Sequence, residues 1–298
     1  MYINKANFFW HGKALSLYEY ACISSFVKNG FDVNVYSYDE LRLPRGSFLC
    51  DATEILPITD LKKYTQAGLK GNLAAFSDAF RYQLIKKKGG WWFDSDVLCL
   101  ASSDDFVEIF KNKEIKLSLG YQAQNDVAVG VLYIDDNDLL QTIIDRLESV
   151  GTDFQWGEIG PKLVTGIINE LDINHLVDPK YYFYPIYKNF QKMFDPLSVE
   201  WCKERVSKSF TLHLWNDLLR RYKIPKNIMP PSGSYLHEIF LNLCPELVEV
   251  PTLQFDTLQV LFDYYDQKDH CERLLYIEKK IKDNCIISAL LKMKNILK

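Results

Sequence analysis

The chain has 298 residues, of which 48% are hydrophobic and 25% are charged, and its formal net charge is −4. A chain of this length can bury a core without disulfides, so we interpret its seven cysteines as reduced thiols. The mildly acidic balance argues against a nucleic-acid binder, and the lack of a long apolar run argues against a signal peptide or a membrane span. We therefore expect a cytoplasmic protein with no nucleic-acid partner.

Strands and helices alternate along the N-terminal half of the sequence. An apolar run at residues 6–10 is followed by helical spacing at 15–26 and by strand-like alternation at 31–38. A strand, a helix and a strand within about 35 residues begin an α/β unit and favour a parallel sheet. Residues 44–46 are interpreted as a loop, and residues 51–57 as the approach to a helix at 71–88.

The second half of the sequence changes character near residue 228. Before that point, the patterns predict strands at 116–121, 127–134 and 210–215 and helices at 139–150 and 161–171. Three prolines and a glycine then fall between residues 225 and 233, and the rest of the sequence is typical of helices. We predict a catalytic α/β domain in residues 1–228 and a helical appendage in residues 229–298.

Two carboxylates interrupt an apolar segment directly after the predicted helix at 71–88. Asp94 and Asp96 follow a Gly-Gly turn and three aromatic residues, and the apolar run at 97–100 follows them. Carboxylates two residues apart at the end of a strand can share Mg²⁺ or Mn²⁺ with a bound diphosphate. The alternative is a pair of exposed acids in a turn.

A second polar group is predicted on the helix at 71–88. Ser77, Asp78 and Arg81 are spaced to share one helix face. An acid and an arginine there can bind sugar hydroxyls and phosphate, respectively. The alternative is a surface ion pair that stabilises the fold by at most about 1 kcal/mol.

The segment GNLAAFSDAFRYQLIKKKGGWWFDSDV, residues 71–97, resembles the signature of the DxD glycosyltransferases of the sugar-binding-region family. That family includes initiating mannosyltransferases and capsular polysaccharide transferases, and more distantly the large clostridial glucosylating toxins. Weaker similarity extends over residues 5–217 and includes the segments FFWHG and LHLWND. The resemblance implies a GT-A fold, which is a Rossmann-like mixed sheet flanked by helices.

The resemblance also implies roles for individual residues. Asp78, Arg81 and Asp96 would be catalytic, and Asp94, Asp96 and His213 would bind Mn²⁺ or Mg²⁺. The residues that would bind the nucleotide sugar are Trp10, Ser77, Asp78, Arg81, Asp94, Trp215 and Asn216. For Trp10 and His213 the alternative is an ordinary core position.

The chain departs from many relatives at Trp92, where they have tyrosine. A hydrogen bond from the phenol must therefore be replaced, for example by the indole N–H.

By the same resemblance, the chain would be a retaining, metal-dependent transferase. It would move a hexose or N-acetylhexosamine, from a UDP-linked donor in the favoured interpretation, to a glycan or lipid-linked glycan acceptor in capsule or lipopolysaccharide biosynthesis. No carboxylate stands out as a covalent nucleophile, so we expect front-face attack by the acceptor hydroxyl. The alternatives are an effector that glycosylates a host protein and a catalytically silent nucleotide- or glycan-binding protein.

The last twenty residues form a basic tail, with six lysines and a single acid, Asp283. Apolar residues alternate with these lysines, so the tail can form a helix that docks on the inner face of an anionic membrane. The alternative is a solvated helix face without a partner.

Overall fold

Six strands form the central sheet within the residues that the computed structural model describes, which are 3–65, 73–151, 154 and 157–283. The strands of the chain are β1 (Lys5–Trp10), β2 (Asp32–Ser37), β3 (Ser47–Asp51), β4 (Trp91–Phe93), β5 (Val97–Cys99), β6 (Leu117–Ala123), β7 (Asp126–Ile134) and β8 (Thr211–His213). The order in the central sheet is β3-β2-β1-β4-β7-β6, whereas β5 and β8 pair separately.

The central sheet is mixed. Strand β1 runs parallel to β2 and β4, and β2 runs parallel to β3, while β7 is antiparallel to both β4 and β6. The expected α/β fold, with a mixed sheet flanked by helices, is confirmed. Strand β3 was not predicted. It is a mostly exposed edge strand whose residues Phe48 and Leu49 face solvent, so it lacks the alternation that marks a half-buried strand.

Helices cover both faces of the sheet. They are α1 (Leu17–Lys28), α2 (Leu73–Lys88), α3 (Asn137–Val150), α4 (Pro161–Glu170), α5 (Lys180–Phe183), α6 (Val199–Val206), α7 (Asn216–Arg221), α8 (Tyr235–Leu243) and α9 (Phe255–Asp283). The helices predicted at 15–26, 71–88, 139–150 and 161–171 are confirmed within about two residues at each end. The predicted start of the second one, at residues 71–72, lies outside the described residues.

The aromatic strand β4 connects two hydrophobic cores. Trp92 packs with α2, α3 and α4 on one face of the sheet, while Trp91 and Phe93 pack with α1 on the other. All three side chains are almost fully buried. This alternation is the expected pleat of a strand, and it anchors the chain immediately before Asp94.

The residues after position 229 pack against the N-terminal half. Leu236 and Phe240 of α8 and Phe262 of α9 share a hydrophobic cluster with Tyr18 and Cys22 of α1. The predicted division of the chain at residue 228 stays a prediction. It separates segments that share this cluster.

Helix α9 leaves the body of the protein in its second half. Residues 271–280 are all exposed. No helix among the described residues has both the length and the apolar content needed to cross a bilayer. The part of the predicted basic tail at residues 284–298 lies outside the described residues.

Candidate active site

The connection between β4 and β5 carries the two predicted metal-binding acids from one sheet to the other. The backbone N–H of Asp94 donates to the carbonyl oxygen of Gly130 on β7 at 2.7 Å. The backbone N–H of Leu214, just after β8, donates to the carbonyl oxygen of Asp96 at 2.8 Å. Asp94 is thereby tied to the central sheet and Asp96 to the small sheet.

His213 joins the two acids because β5 pairs with β8. Val97 stands opposite His213 in this antiparallel pair, so the imidazole lies beside Asp96. Its Nε2 atom is 3.7 Å from Oδ2 of Asp94 and 3.7 Å from Oδ1 of Asp96. One ligand atom from each of the three side chains falls within 4.8 Å of the others. The structure thus brings together the three residues predicted to bind a metal.

The three groups perturb one another electrostatically. Burial acts to raise the pKa of Asp94, but the Arg81 guanidinium and the nearby His213 imidazole outweigh it and hold that pKa at about 2. Burial raises the pKa of Asp96, and the negative charge of Asp94 adds to the effect. The pKa of His213 is also raised, because attraction to Asp96 and Asp94 outweighs the opposing effect of burial. The cluster therefore favours positive charge at its centre.

The donor set of this cluster fits a hard divalent cation. Carboxylate oxygens suit Mg²⁺ and Mn²⁺, and an imidazole nitrogen is a ligand for transition-metal cations. The Nδ1 atom of His213 accepts a hydrogen bond from the backbone N–H of Trp215 at 3.0 Å, so Nε2 faces the acids. Ligation by Nε2 would need the neutral ring to carry its proton on Nδ1, and that nitrogen would then give up the bond from Trp215.

Arg81 of α2 links the predicted sugar-binding acid, Asp78, to the cluster of Asp94, Asp96 and His213. Its Nη2 atom is 3.1 Å from Asp78 and 3.2 Å from Asp94, and its Nη1 atom donates to the carbonyl oxygen of Val129 at 2.6 Å. Nη2 also donates to the hydroxyl of Ser77 at 3.3 Å. Arg81 is only 4% exposed, so the alternative of a surface ion pair is wrong. Burial raises the pKa of Asp78 to about 6, against the opposing effect of Arg81.

Trp92 stands where many relatives were expected to have tyrosine, and its indole N–H is bonded within the protein. Its indole N–H donates to Oδ1 of Asp94 at 2.9 Å, and the Arg81 guanidinium lies 5.0 Å from the centre of its ring. The substitution therefore retains a donor near the cluster, directed at an acid of the site itself.

The cluster opens into a cavity of about 760 Å³, which is within the usual range for small-molecule sites. Its lining includes Asp78, Arg81, Asp94, Asp96 and His213. Aromatic side chains form another part of the wall: Trp215 lies 4.3 Å from His213 and 4.5 Å from Tyr187 between ring centres, and Tyr184 lies next to both His213 and Trp215. The cavity thus combines a charged end with an aromatic wall.

The two tyrosines in this wall were missed in the sequence. Tyr184 and Tyr187 fall in the segment YYFYPIY, residues 181–187, whose only signal is its density of aromatic residues. The backbone N–H of Val131 donates to the Tyr184 hydroxyl at 2.9 Å. Such a segment resembles core packing until the fold places it beside His213.

Three residues predicted to bind the nucleotide sugar either lie outside the cavity lining or have a side chain that is bonded within the protein. Trp10 is the last residue of β1, and its indole N–H donates to the carbonyl oxygen of Ala14 at 3.1 Å. Neither Trp10 nor Ser77 is among the residues that line the cavity. Asn216 lines the cavity, but its side-chain amide is bonded to Glu19 and Lys226. Their direct contacts with a ligand stay predictions.

Comparison with known proteins matches two family models to adjacent parts of the chain. Residues 55–138 match the family described as capsular polysaccharide synthesis protein, and residues 135–250 match the alpha 1,4-glycosyltransferase conserved region. Mouse (Mus musculus) lactosylceramide 4-alpha-galactosyltransferase is 25% identical over an alignment of 186 residues, and the match covers 58% of this chain and 48% of the mouse protein. The chain thus spans about half the length of this curated relative.

Solved glycosyltransferases resemble the chain more distantly. GlyE of Streptococcus pneumoniae TIGR4 in its apo form has a TM-score of 0.40 and 14% identity, covering 89% of this chain and 63% of GlyE. The galactosyltransferase LgtC has a TM-score of 0.38 and 13% identity, covering 83% of this chain and 97% of LgtC. The two family matches and the mouse relative together show that the chain is similar to glycosyltransferases, a class of transferase enzymes.

Proposed function

We propose that the chain is a retaining, metal-dependent glycosyltransferase that moves a hexose or N-acetylhexosamine from a UDP sugar to a glycan of a capsule or lipopolysaccharide. The observation that carries this proposal is the convergence of Asp94, Asp96 and His213 at the charged end of a 760 Å³ cavity. A nucleotide sugar needs a site that accepts a diphosphate at one end and presents polar and aromatic groups to a sugar.

The residues around the cluster have complementary roles in this proposal. A divalent cation held by Asp94, Asp96 and His213 would neutralise the negative charge that develops on the leaving diphosphate. Arg81 holds the carboxylates of Asp78 and Asp94 in fixed positions through its buried guanidinium. Asp78 accepts hydrogen bonds from hydroxyls of the donor sugar, and Trp215 and Tyr187 offer ring faces for stacking.

The retaining stereochemistry is supported by the linkage in the names of the relatives. Both the family description and the name of the mouse protein specify an α linkage. The common UDP-hexoses carry the sugar in α linkage, so an α-linked product requires retention. We propose that the acceptor hydroxyl attacks from the same face as the departing diphosphate, without a covalent enzyme intermediate.

The acceptor is proposed to be a glycan that is attached to a lipid. The match to a capsular polysaccharide synthesis protein supports a polysaccharide acceptor, and the mouse relative is named for a glycolipid, lactosylceramide. The exposed end of α9 carries Lys279 and Lys280 beside exposed Leu274 and Ile277. We propose that this end and the basic tail make peripheral contact with the inner face of a membrane.

The decisive experiment measures sugar transfer and donor hydrolysis with a panel of UDP- and GDP-sugars, in the presence of Mn²⁺ and after its removal. Asp96→Asn should lower turnover by about 100-fold or more, because an amide binds the cation more weakly than a carboxylate does. Asp172→Asn is a matched control, because Asp172 is exposed and has a backbone conformation that asparagine also adopts (φ 55°). Unchanged turnover in Asp96→Asn would exclude the proposed metal role, and nucleotide binding without turnover in the wild type would favour a silent binding protein.

A further inference from the structure

A buried acid on α1 lies behind the metal-binding cluster. The side chain of Glu19 is fully buried, and each of its two oxygens has a separate set of partners. Oε2 accepts hydrogen bonds from the backbone N–H (3.2 Å) and the hydroxyl of Ser16, which completes a capping box at the start of α1. Oε1 points the other way, where it accepts from the Asn216 amide at 3.0 Å and from the ammonium of Lys226.

These partners form a closed network at the start of α7. Lys226 also donates to Oδ1 of Asn216 at 2.9 Å, so the Asn216 amide is held at both its oxygen and its nitrogen. The backbone of Lys226 is held as well, because its carbonyl oxygen accepts from the N–H of Leu17 at 3.1 Å. The position of Asn216 is therefore determined by groups on α1 and on the segment after α7.

Backbone hydrogen bonds from Asn216 and its neighbour Trp215 connect this network to the metal-binding cluster. Its backbone N–H donates to Oδ2 of Asp96 at 2.6 Å, and the N–H of its neighbour Trp215 donates to His213. Trp215 has a left-handed backbone with φ 59°, and this turn directs two consecutive N–H groups at two of the three proposed ligands. A residue other than glycine adopts that conformation only when its surroundings enforce it.

We infer that Glu19 is a positioning residue for the cation site, acting through the Asn216 amide and backbone to orient Asp96. The inference rests on the proposed function, because it presupposes that Asp94, Asp96 and His213 bind a divalent cation. Capping alone explains only the bonds of Oε2. The bonds of Oε1 with Asn216 and Lys226 take no part in capping and connect Glu19 to the start of α7. Partners behind metal ligands commonly change metal affinity by about 10–100-fold when they are altered.

Two variants separate the two roles of Glu19. Glu19→Gln keeps the volume and can still cap α1, since glutamine also serves in capping boxes, but it turns an amide group toward the donors of Asn216 and Lys226. Ser16→Ala removes the capping hydroxyl but leaves the contacts of Oε1 in place. The measurement is the Kd of Mn²⁺ for the full chain, obtained from the electron paramagnetic resonance signal of free Mn²⁺ without any sugar nucleotide.

We expect Glu19→Gln to raise the Mn²⁺ Kd by about tenfold or more, and Ser16→Ala to leave it unchanged. An unchanged Kd in folded Glu19→Gln, or an equal rise in both variants, would overturn the inference while leaving the cation site intact. If wild-type protein binds no Mn²⁺, this inference fails, while the transfer assay with the sugar-nucleotide panel decides the proposed function separately. If Glu19→Gln does not fold, Lys226→Met provides the test, since Lys226 is 26% exposed and supports the same amide. A normal Mn²⁺ Kd in that variant would likewise overturn the inference.

Discussion

Gly130 on β7 lies so close to the Asp94 carboxylate that a Cβ atom at this position would be 2.8 Å from Oδ2. The same Cβ atom would lie 3.1 Å from Nε2 of His213. The pairing of β4 with β7 creates this contact, since the N–H of Asp94 bonds to the carbonyl of Gly130. Glycine is therefore required here by space, because any side chain would enter the proposed cation site.

We predict that Gly130→Ala weakens Mn²⁺ binding by at least about tenfold, because the methyl group displaces two ligands at once. The control is Gly166→Ala in α4, where an added Cβ meets nothing within 4 Å. Alanine should stabilise that helix by up to about 1 kcal/mol and leave Mn²⁺ binding as it is. Titration of both purified variants with Mn²⁺ checks this. A normal Kd in Gly130→Ala would contradict the assigned position of the cation.

The neighbouring tryptophans of β4 provide a second matched pair. Trp92 donates to Asp94, whereas Trp91 donates to the carbonyl oxygen of Ile3 on the opposite face at 3.0 Å. Each variant to phenylalanine removes one buried hydrogen bond and some buried volume, so each should lower the free energy of unfolding by about 2 kcal/mol. Only Trp92→Phe should also raise the Mn²⁺ Kd. Urea unfolding and Mn²⁺ titration test the pair, and equal Mn²⁺ affinities would refute a role for the indole N–H.

Asp78 should make stability depend on pH with a defined sign. Burial raises its pKa to about 6, from an ordinary value of 3.8. Below about pH 3 the carboxyl is mostly protonated in both states. As pH rises toward 6, the unfolded chain ionises first, so this group removes up to about 3 kcal/mol of stability.

Asp78→Asn should therefore gain stability relative to the wild type between pH 4 and pH 7, by up to about 3 kcal/mol. Chemical unfolding in the presence of EDTA at both pH values measures the difference without a bound cation. Asp172→Asn serves as the exposed control, with a difference that does not change with pH. A gap between Asp78→Asn and wild type that stays constant over this range would contradict the raised pKa.

The aromatic wall predicts a contribution to substrate affinity. Tyr187 is 40% exposed and packs against Trp215 in the cavity lining. Tyr187→Ala should raise the KM of the sugar substrate that stacks there by severalfold, which corresponds to about 1 kcal/mol. Tyr181→Ala is the control, since Tyr181 is similarly exposed, at 46%, but does not line the cavity. If the KM values for donor and acceptor both stay at wild-type levels in Tyr187→Ala, the wall does not bind sugar.

The basic end of the chain predicts binding to anionic vesicles. Replacing Lys279, Lys280 and Lys282 with glutamine should reduce flotation with such vesicles, because each lysine near an anionic surface contributes about 1 kcal/mol. Replacing Lys111, Lys203 and Lys208 changes the net charge equally and should have no effect. A chain that ends at residue 278 should lose flotation altogether. Identical flotation of this shortened chain and the full chain would remove the membrane proposal.

Local patterns in the sequence were enough to predict most elements and one part of the site. Helix α2 brings Ser77, Asp78 and Arg81 onto one face because residues three and four apart are neighbours on any α-helix. The Gly-Gly turn, the aromatic strand and the two acids of the DxD segment are contiguous, so their order alone predicted a carboxylate pair at the end of a strand. The proposed metal-binding role of His213 came only from the family resemblance, since nothing around it in the sequence differs from a core histidine.

Tertiary structure decided how these pieces meet. The pairing of β5 with β8 puts His213 beside Asp96, and the burial of Arg81 converts a helix-face pair into a bridge between Asp78 and Asp94. Glu19 reaches Asn216 across nearly two hundred positions of sequence. Periodicity records which face of an element is buried, but it carries no information on which distant element covers that face. The sequence by itself therefore determined the elements and the acids, and only the packing of those elements determined the cluster, its supporting network and its aromatic wall.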